Sequence, residues 1–237
     1  MQDPFKNRLL GFIFVIMMAV CYFIIVPPVT VYCWIKRRPQ DSAKSGSWFF
    51  RRQMALFRAT PIVEGLENIP KNSGFVVMAN HQSFIDIGTL MYKIVPLAFL
   101  AKKELFRTPL FGRSLKFMGC IPIDRGNMRA NSELPNILRN RISKGFNYCV
   151  FPEGTRSSDG TLLPFKNGMF KIISQAPVNV LPVTLIGTGL VMPKNGFAYY
   201  SKRARMVIHP LISPEQIAQW TPEEFRETVR NQIASAL

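Results

Sequence analysis

Between residues 74 and 210, six short apolar runs alternate with segments of helical length, and this alternation constrains the fold more than any other feature. The runs are "GFVVMA" (74–79), "LAFLA" (97–101), "CIPI" (120–123), "FNYCVF" (146–151), "VNVLPVTLI" (178–186) and "ARMVIHP" (204–210). All are short enough for buried strands. The segments between them, roughly 84–94, 108–118, 128–144 and 166–175, are long enough for helices. Strand and helix in alternation predict an α/β fold with a mainly parallel central sheet flanked by helices. Near the end, "SPEQ" (213–216) and "TPEE" (221–224) are capping boxes with proline at the first helical position. They predict a short helix and then a terminal one. No internal repeat or low-complexity segment interrupts the pattern.

A different pattern precedes it. Residues 9–26, "LLGFIFVIMMAVCYFIIV", carry no charge. Eighteen helical residues span roughly 27 Å, slightly less than a hydrocarbon core of about 30 Å. No small-residue cleavage site follows, and Lys36, Arg37 and Arg38 come soon after, which argues for a retained membrane segment over a signal peptide. Pro27-Pro28 breaks the pattern before "VTVYCWI" resumes it. A shallow hairpin turning at the prolines and a single kinked span both fit. Residues 36–58 hold seven basic side chains and one acid, Asp41. Such a stretch is drawn to anionic head groups, with a solvated linker as the plainer alternative. The expected organisation is a membrane-anchoring helical segment with a basic juxtamembrane stretch (1–58) and an α/β domain (59–237).

The whole chain has 30 Lys and Arg against 14 Asp and Glu, a formal charge of +16. That balance suggests a polyanionic partner. With 48% hydrophobic residues and 19 Phe, an anionic phospholipid membrane is favoured over nucleic acid, for which no binding motif is visible. Cys21, Cys33, Cys120 and Cys149 form no C-x-x-C pair and read as reduced packing residues. Two histidines and these spacings make a metal site improbable.

Only His81 and His209 supply imidazole, and the first lies in "NHQSFID" (80–86), five residues before Asp86. One reading is a strand-to-helix turn capped by Asn80 or Ser83. The other is a His–Asp dyad whose carboxylate sets the tautomer so that the ring can accept a proton. Three further strand ends are charged: "AKKELF" (101–106) with Lys102 and Lys103, "GCIPIDRGN" (119–127) with Arg125, and "FPEGTRSSDG" (151–160) with Glu153 and Arg156. In the last, Gly154 allows a tight turn, and Thr155, Arg156 and Ser157 offer donors at the carboxyl edge where open α/β sheets bind ligands. Arg156 is a natural two-pronged clamp for phosphate. One proton acceptor among several cations suits an acyl acceptor that bears a phosphate. No G-x-S-x-G elbow supports a serine hydrolase, and neither Cys149 nor Cys120 has an activating neighbour in sequence for an acyl-enzyme route.

Taken in order, "NHQSFID", "GCIPIDR", "FPEGTRS" with downstream "LLPFKNG", and "VLPV" (180–183) resemble the four blocks of the glycerolipid acyltransferase family, of bacterial lysophosphatidic acid acyltransferase type. The resemblance covers roughly residues 60–210. It implies transfer of a fatty acyl group from acyl-CoA or acyl-carrier protein to the free hydroxyl of 1-acyl-sn-glycerol 3-phosphate, giving phosphatidic acid. His81 would be the general base and Asp86 its partner. Lys102, Arg125, Glu153, Gly154, Thr155 and Arg156 would bind substrate, with Glu153 holding Arg156 or the glycerol hydroxyl and Asn80 a candidate near the oxyanion. No cofactor or metal is implied; the thioester is a co-substrate. The expected site of action is the bacterial inner membrane, with the active domain on the cytoplasmic face. The alternatives are another lysolipid acceptor and a non-catalytic membrane lipid-binding protein, which would have no need of His81 with Asp86.

Overall fold

The structure is a computed structural model that describes residues 4–36, 39–109, 111–124, 126–194 and 204–237. The chain begins with helices α1 (Pro4–Ile35) and α2 (Pro39–Leu56), then strand β1 (Ile62–Glu64) and β2 (Val76–Ala79). It continues through α3 (Asp86–Met91), β3 (Ala98–Lys102), α4 (Phe111–Phe117), β4 (Ile121–Ile123), α5 (Leu134–Ser143) and β5 (Tyr148–Val150). The last part comprises α6 (Asn167–Gln175), β6 (Val180–Ile186), α7 (Thr188–Val191), β7 (Arg205–Ile208), α8 (Pro214–Ala218) and α9 (Pro222–Ala234). All six expected strands are present. Strand β1 and the single turn α7 went unforeseen, because three or four residues carry too little periodicity to register.

The seven strands form one sheet in the order β1-β7-β6-β2-β5-β3-β4. Every pairing is parallel except β6 with β7. Burial follows position in the sheet. The central strands β2 and β5 are buried at every residue, whereas the edge strand β1 is exposed at both ends. A parallel sheet covered on both faces needs apolar side chains on each, which is why its inner strands read as unbroken apolar runs. Val76 and Met78 pack on one face with Leu138 of α5, Phe170 of α6 and Phe225 of α9. Val77 and Ala79 pack on the other with Leu90 and Met91 of α3. Pro182 sits within β6 without breaking the ladder, since β7 pairs from Val183 onward and the Pro182 carbonyl accepts the His209 N–H.

Both capping boxes form: Ser213 and Gln216 exchange side-chain-to-backbone bonds at α8, and Thr221 and Glu224 do so at α9. The N-terminal segment departs from one expectation. Helix α1 runs through Pro27-Pro28 without ending, so the chain does not reverse direction at the prolines. Each proline lacks the N–H that would donate an i→i−4 bond. Helix α2 then folds back against α1 and packs on α3, where Phe50 and Met54 lie over Gly88. A Cβ at Gly88 would stand 3.0 Å from the Phe50 ring. Phe14, Phe49 and Met54 close a third apolar cluster with Ile85 and Met192.

Among the described residues no helix is long and apolar enough to cross a membrane. Helix α1 nonetheless leaves Leu9, Phe12, Ile16, Val20 and Ile24 exposed, and α2 leaves Trp48 and Leu56 exposed. The Arg52 guanidinium lies over the Trp48 ring, 5.5 Å from its centroid.

Candidate active site

Strand order assembles the site. Strand β5 enters the sheet between β2 and β3, so the loops leaving β2, β5, β3 and β4 stand side by side at one carboxyl edge. The four charged strand ends of the sequence are the ends of these four neighbours.

The loop after β2 carries His81, and the helix that follows begins at Asp86. His81 Nδ1 and Asp86 Oδ2 are 2.7 Å apart. The same carboxylate oxygen accepts the main-chain N–H groups of Gln82 (2.7 Å) and Ser83 (2.8 Å). Asp86 is fully buried while the His81 side chain is 19% exposed. A carboxylate acceptor at Nδ1 selects the tautomer with its proton there, leaving Nε2 free to accept one. The imidazole also stacks on Phe151, with centroids 4.0 Å apart and planes 13° from parallel. Its edge is held by Asp86 and its face by Phe151.

The main chain around His81 is held as firmly. Its N–H donates to Glu153 Oε1 at 2.7 Å, and its carbonyl accepts from the Ser157 N–H at 2.7 Å. Gln82 Nε2 donates to the carbonyls of Gly160 and Leu185. Asn80 exchanges two bonds with Leu185, donating to its carbonyl at 2.8 Å and accepting its N–H at 2.7 Å. With its amide nitrogen and oxygen both engaged with Leu185 and its side chain buried, Asn80 ties β2 to β6. Ser83 is also buried, with its hydroxyl on the Met192 carbonyl at 2.6 Å and accepting the Ile85 N–H. It is a turn residue, not a nucleophile.

Glu153 does not hold Arg156. Its second oxygen accepts the Leu163 N–H at 3.2 Å, and the residue is buried. Burial pushes its pKa up to about 7; the N–H bonds from His81 and Leu163 oppose that rise, and the Asp86 charge adds to it. Gly154 has φ +72°, a conformation that favours a bare backbone, and Lys166 Nζ and Cε lie 3.1 Å from where a Cβ would stand. Thr155 is exposed and Arg156 half-buried. The Arg156 carbonyl accepts from Lys194 Nζ at 2.6 Å, and among the described residues no carboxylate pairs with its guanidinium.

The cations at the end of β3 have carboxylate neighbours. Lys103 is bonded to Asp124 across the β3–β4 pair, and this contact, with the Asn127 and Gly126 N–H groups, holds the Asp124 carboxyl below its ordinary range. Lys102 is exposed, 3.8 Å from Glu104. Arg125 lies outside the described residues. Cys149 and Cys120 are buried; burial pushes the first thiol well above its usual range and the second up to about 11. The side chains of Cys21 and Cys33 lie outside the described residues. Phe151, Gln82, Lys166 and Lys194 escaped sequence reasoning. Phe151 stood in plain view directly before "PEG", but only the strand order brings it under His81.

Comparison with known proteins places the chain in a family. A family model described as Acyltransferase matches residues 60–186. A 1-acyl-sn-glycerol-3-phosphate acyltransferase of Borreliella burgdorferi is 32% identical over 177 residues, covering 74% of this chain and 71% of that protein. The chloroplast protein of that name from Brassica napus is 38% identical over 177 residues, covering 74% of this chain and 50% of its own length. This chain therefore spans about half the length of that plant relative. The crystal structure of the 1-acyl-sn-glycerophosphate (LPA) acyltransferase from Thermotoga maritima superposes with a TM-score of 0.83 at 27% identity, covering 99% of this chain and 96% of that one. The match extends over more than half the chain and includes His81, Asp86, Glu153 and Arg156, so this chain belongs to the acyltransferase family.

Proposed function

We propose that the chain transfers a fatty acyl group from an acyl thioester to the free hydroxyl of 1-acyl-sn-glycerol 3-phosphate, giving phosphatidic acid. The observation that carries this reading is the His81–Asp86 pair, 2.7 Å apart, with Nε2 left open at a sheet edge that also bears Arg156. His81 Nε2 takes the hydroxyl proton as the oxygen attacks the thioester carbonyl. The tetrahedral intermediate collapses, the C–S bond breaks, and the imidazolium returns the proton to the leaving thiolate. Asp86 stabilises the imidazolium in between. No acyl-enzyme is formed, in keeping with the buried thiols and the engaged Ser83 hydroxyl.

For the acceptor's phosphate, Arg156 is the first choice, since its fork is not neutralised by a carboxylate. Lys166, beside Gly154, and Lys102 are secondary. Arg125 keeps the role that the family resemblance implies. Thr155 is exposed beside Arg156 and offers a hydroxyl to the same ligand. Helices α1 and α2 form the anchoring unit, with apolar residues and Trp48 entering an anionic membrane and Arg51 and Arg52 meeting its head groups. Exposed Phe84, three residues from His81, gives the lysolipid chain an apolar surface near the base.

The test is an acceptor panel on full-length protein in detergent, with acyl-CoA and acyl-carrier protein as alternative donors. Lysophosphatidate should be acylated well ahead of lysophosphatidylcholine and monoacylglycerol. Equal use of a monoacylglycerol would overturn the phosphate reading, and no transfer to any acceptor from either donor would overturn the activity.

A further inference from the structure

We infer that Glu153 is a positioning residue that holds the His81 main chain in register and does not itself contact the acceptor. This rests on the reading of His81 as general base. Four observations converge. The carboxylate is buried, at 2% exposure. Its two oxygens are each occupied by a main-chain N–H, one from His81 at 2.7 Å and one from Leu163 at 3.2 Å. The Ser157 N–H takes the His81 carbonyl from the same loop, so residues 153–163 grip the base's peptide on both sides. Arg156, the cation a substrate-binding acid would be expected to orient, has no bond to Glu153.

The chemistry explains why an acid is used. Here the two N–H groups meet different oxygens of the carboxylate, and a carboxamide would keep only one of those two acceptors. In Glu153→Gln the amide NH2 would face one of the N–H groups, and either the base or the Leu163 segment must move. A displacement of the reacting nitrogen by about 1 Å costs on the order of 10²-fold in rate. An acceptor-binding Glu would instead act mainly on KM.

The presence of only two histidines makes the test direct. Full-length protein labelled with 15N-histidine in detergent micelles gives ring signals from His81 and His209. His209 is bonded to Thr184 at 2.7 Å far along the chain from this loop, and it reports whether the core is intact. In Glu153→Gln, kcat should fall about 10- to 100-fold, with acceptor KM within about twofold. The His81 ring signals should shift while those of His209 stay. A raised KM with kcat and the His81 signals unchanged would overturn the inference and return Glu153 to substrate binding. Should Glu153→Gln lose both histidine patterns, Glu153→Asp, which keeps two oxygens one methylene short, should fold with shifted His81 signals and reduced kcat. Wild-type kcat in that variant, or loss of both patterns there too, would also overturn it. Because the His81 shift is read without turnover, its absence counts against Glu153 alone, while an active His81→Ala counts against the base.

Discussion

Asp86 reaches His81 because the chain between them turns tightly enough for one carboxylate oxygen to take two of the four intervening N–H groups, of Gln82 and Ser83, together with the imidazole. The acid therefore sets the shape of the loop as well as the tautomer of the ring. His81→Ala should abolish turnover in a protein that still folds, the loss being on the order of 10²–10⁴-fold. Asp86→Asn keeps an oxygen for the three donors but loses the charge that stabilises the imidazolium, and it buries an NH2 where Asp86 Oδ1 has no partner. It should lower kcat strongly and also lower the melting temperature, measured by differential scanning calorimetry beside His81→Ala, which should melt near wild type.

Arg156 offers a sharper test of the acceptor. Arg156→Ala should weaken use of lysophosphatidate about ten- to a hundred-fold, the size of a lost charge-assisted contact of about 1.5–3 kcal/mol. Arg156→Lys should restore part of this, because a point charge replaces a planar fork. A neutral lysolipid should feel either change little. Equal losses on both acceptors would assign Arg156 to the loop's own structure and move the phosphate to Lys102, Lys166 or Arg125.

Replacing Cys120 and Cys149 by Ala should leave the reaction intact while removing about 1 kcal/mol of stability each, as small core truncations do. Urea denaturation and initial rates on the same samples separate the two effects. Acyl label recovered on either sulfur after incubation with donor alone would refute direct attack by the acceptor hydroxyl.

Two buried groups oppose each other as pH changes. Glu153 has a folded pKa raised to about 7 against an ordinary 4.5, so the folded state holds that proton longer than the unfolded chain. Its contribution to stability therefore falls as pH rises from about 4.5 to about 7. His209 is shifted down from 6.5 by burial, so the unfolded chain protonates first and stability falls as pH drops below that value. Urea midpoints at pH 5 and pH 7.5 should show wild type losing ground to Glu153→Gln as pH rises. His209→Gln should gain on wild type as pH falls. A pH-independent difference for either pair would contradict the assignment.

The exposed apolar residues of α1 predict salt-resistant membrane binding. Changing Phe12, Ile16, Val20 and Ile24 together to Ser should release most of the protein from anionic vesicles at 1 M NaCl in flotation assays. Changing Lys44, Arg51 and Arg52 to Gln should weaken binding only at low salt, where charges are unscreened. Full-length protein that washes off with salt alone would defeat the insertion reading.

Much of this molecule was legible in one dimension because local rules wrote it. Burial on both sheet faces demands unbroken apolar strands, and "GFVVMA" and "FNYCV" announce β2 and β5 for that reason. Capping needs only four consecutive residues, so Ser213 and Thr221 marked their helices. The His81–Asp86 pair spans a single turn and could be proposed from its spacing. What spacing could not reveal was lateral order. That β5 lies between β2 and β3 follows from how the helices pack across the sheet, and it alone puts Phe151 under the imidazole and Glu153 on the His81 N–H, 72 residues away. The packed sheet also puts Glu153 on the His81 N–H and not on Arg156, joins Asn80 to Leu185 across β2 and β6, and sets Lys103 against Asp124 beside β3 and β4. A hydrogen bond is decided by which atoms meet within about 3 Å, and for residues on different strands only the packed sheet decides that.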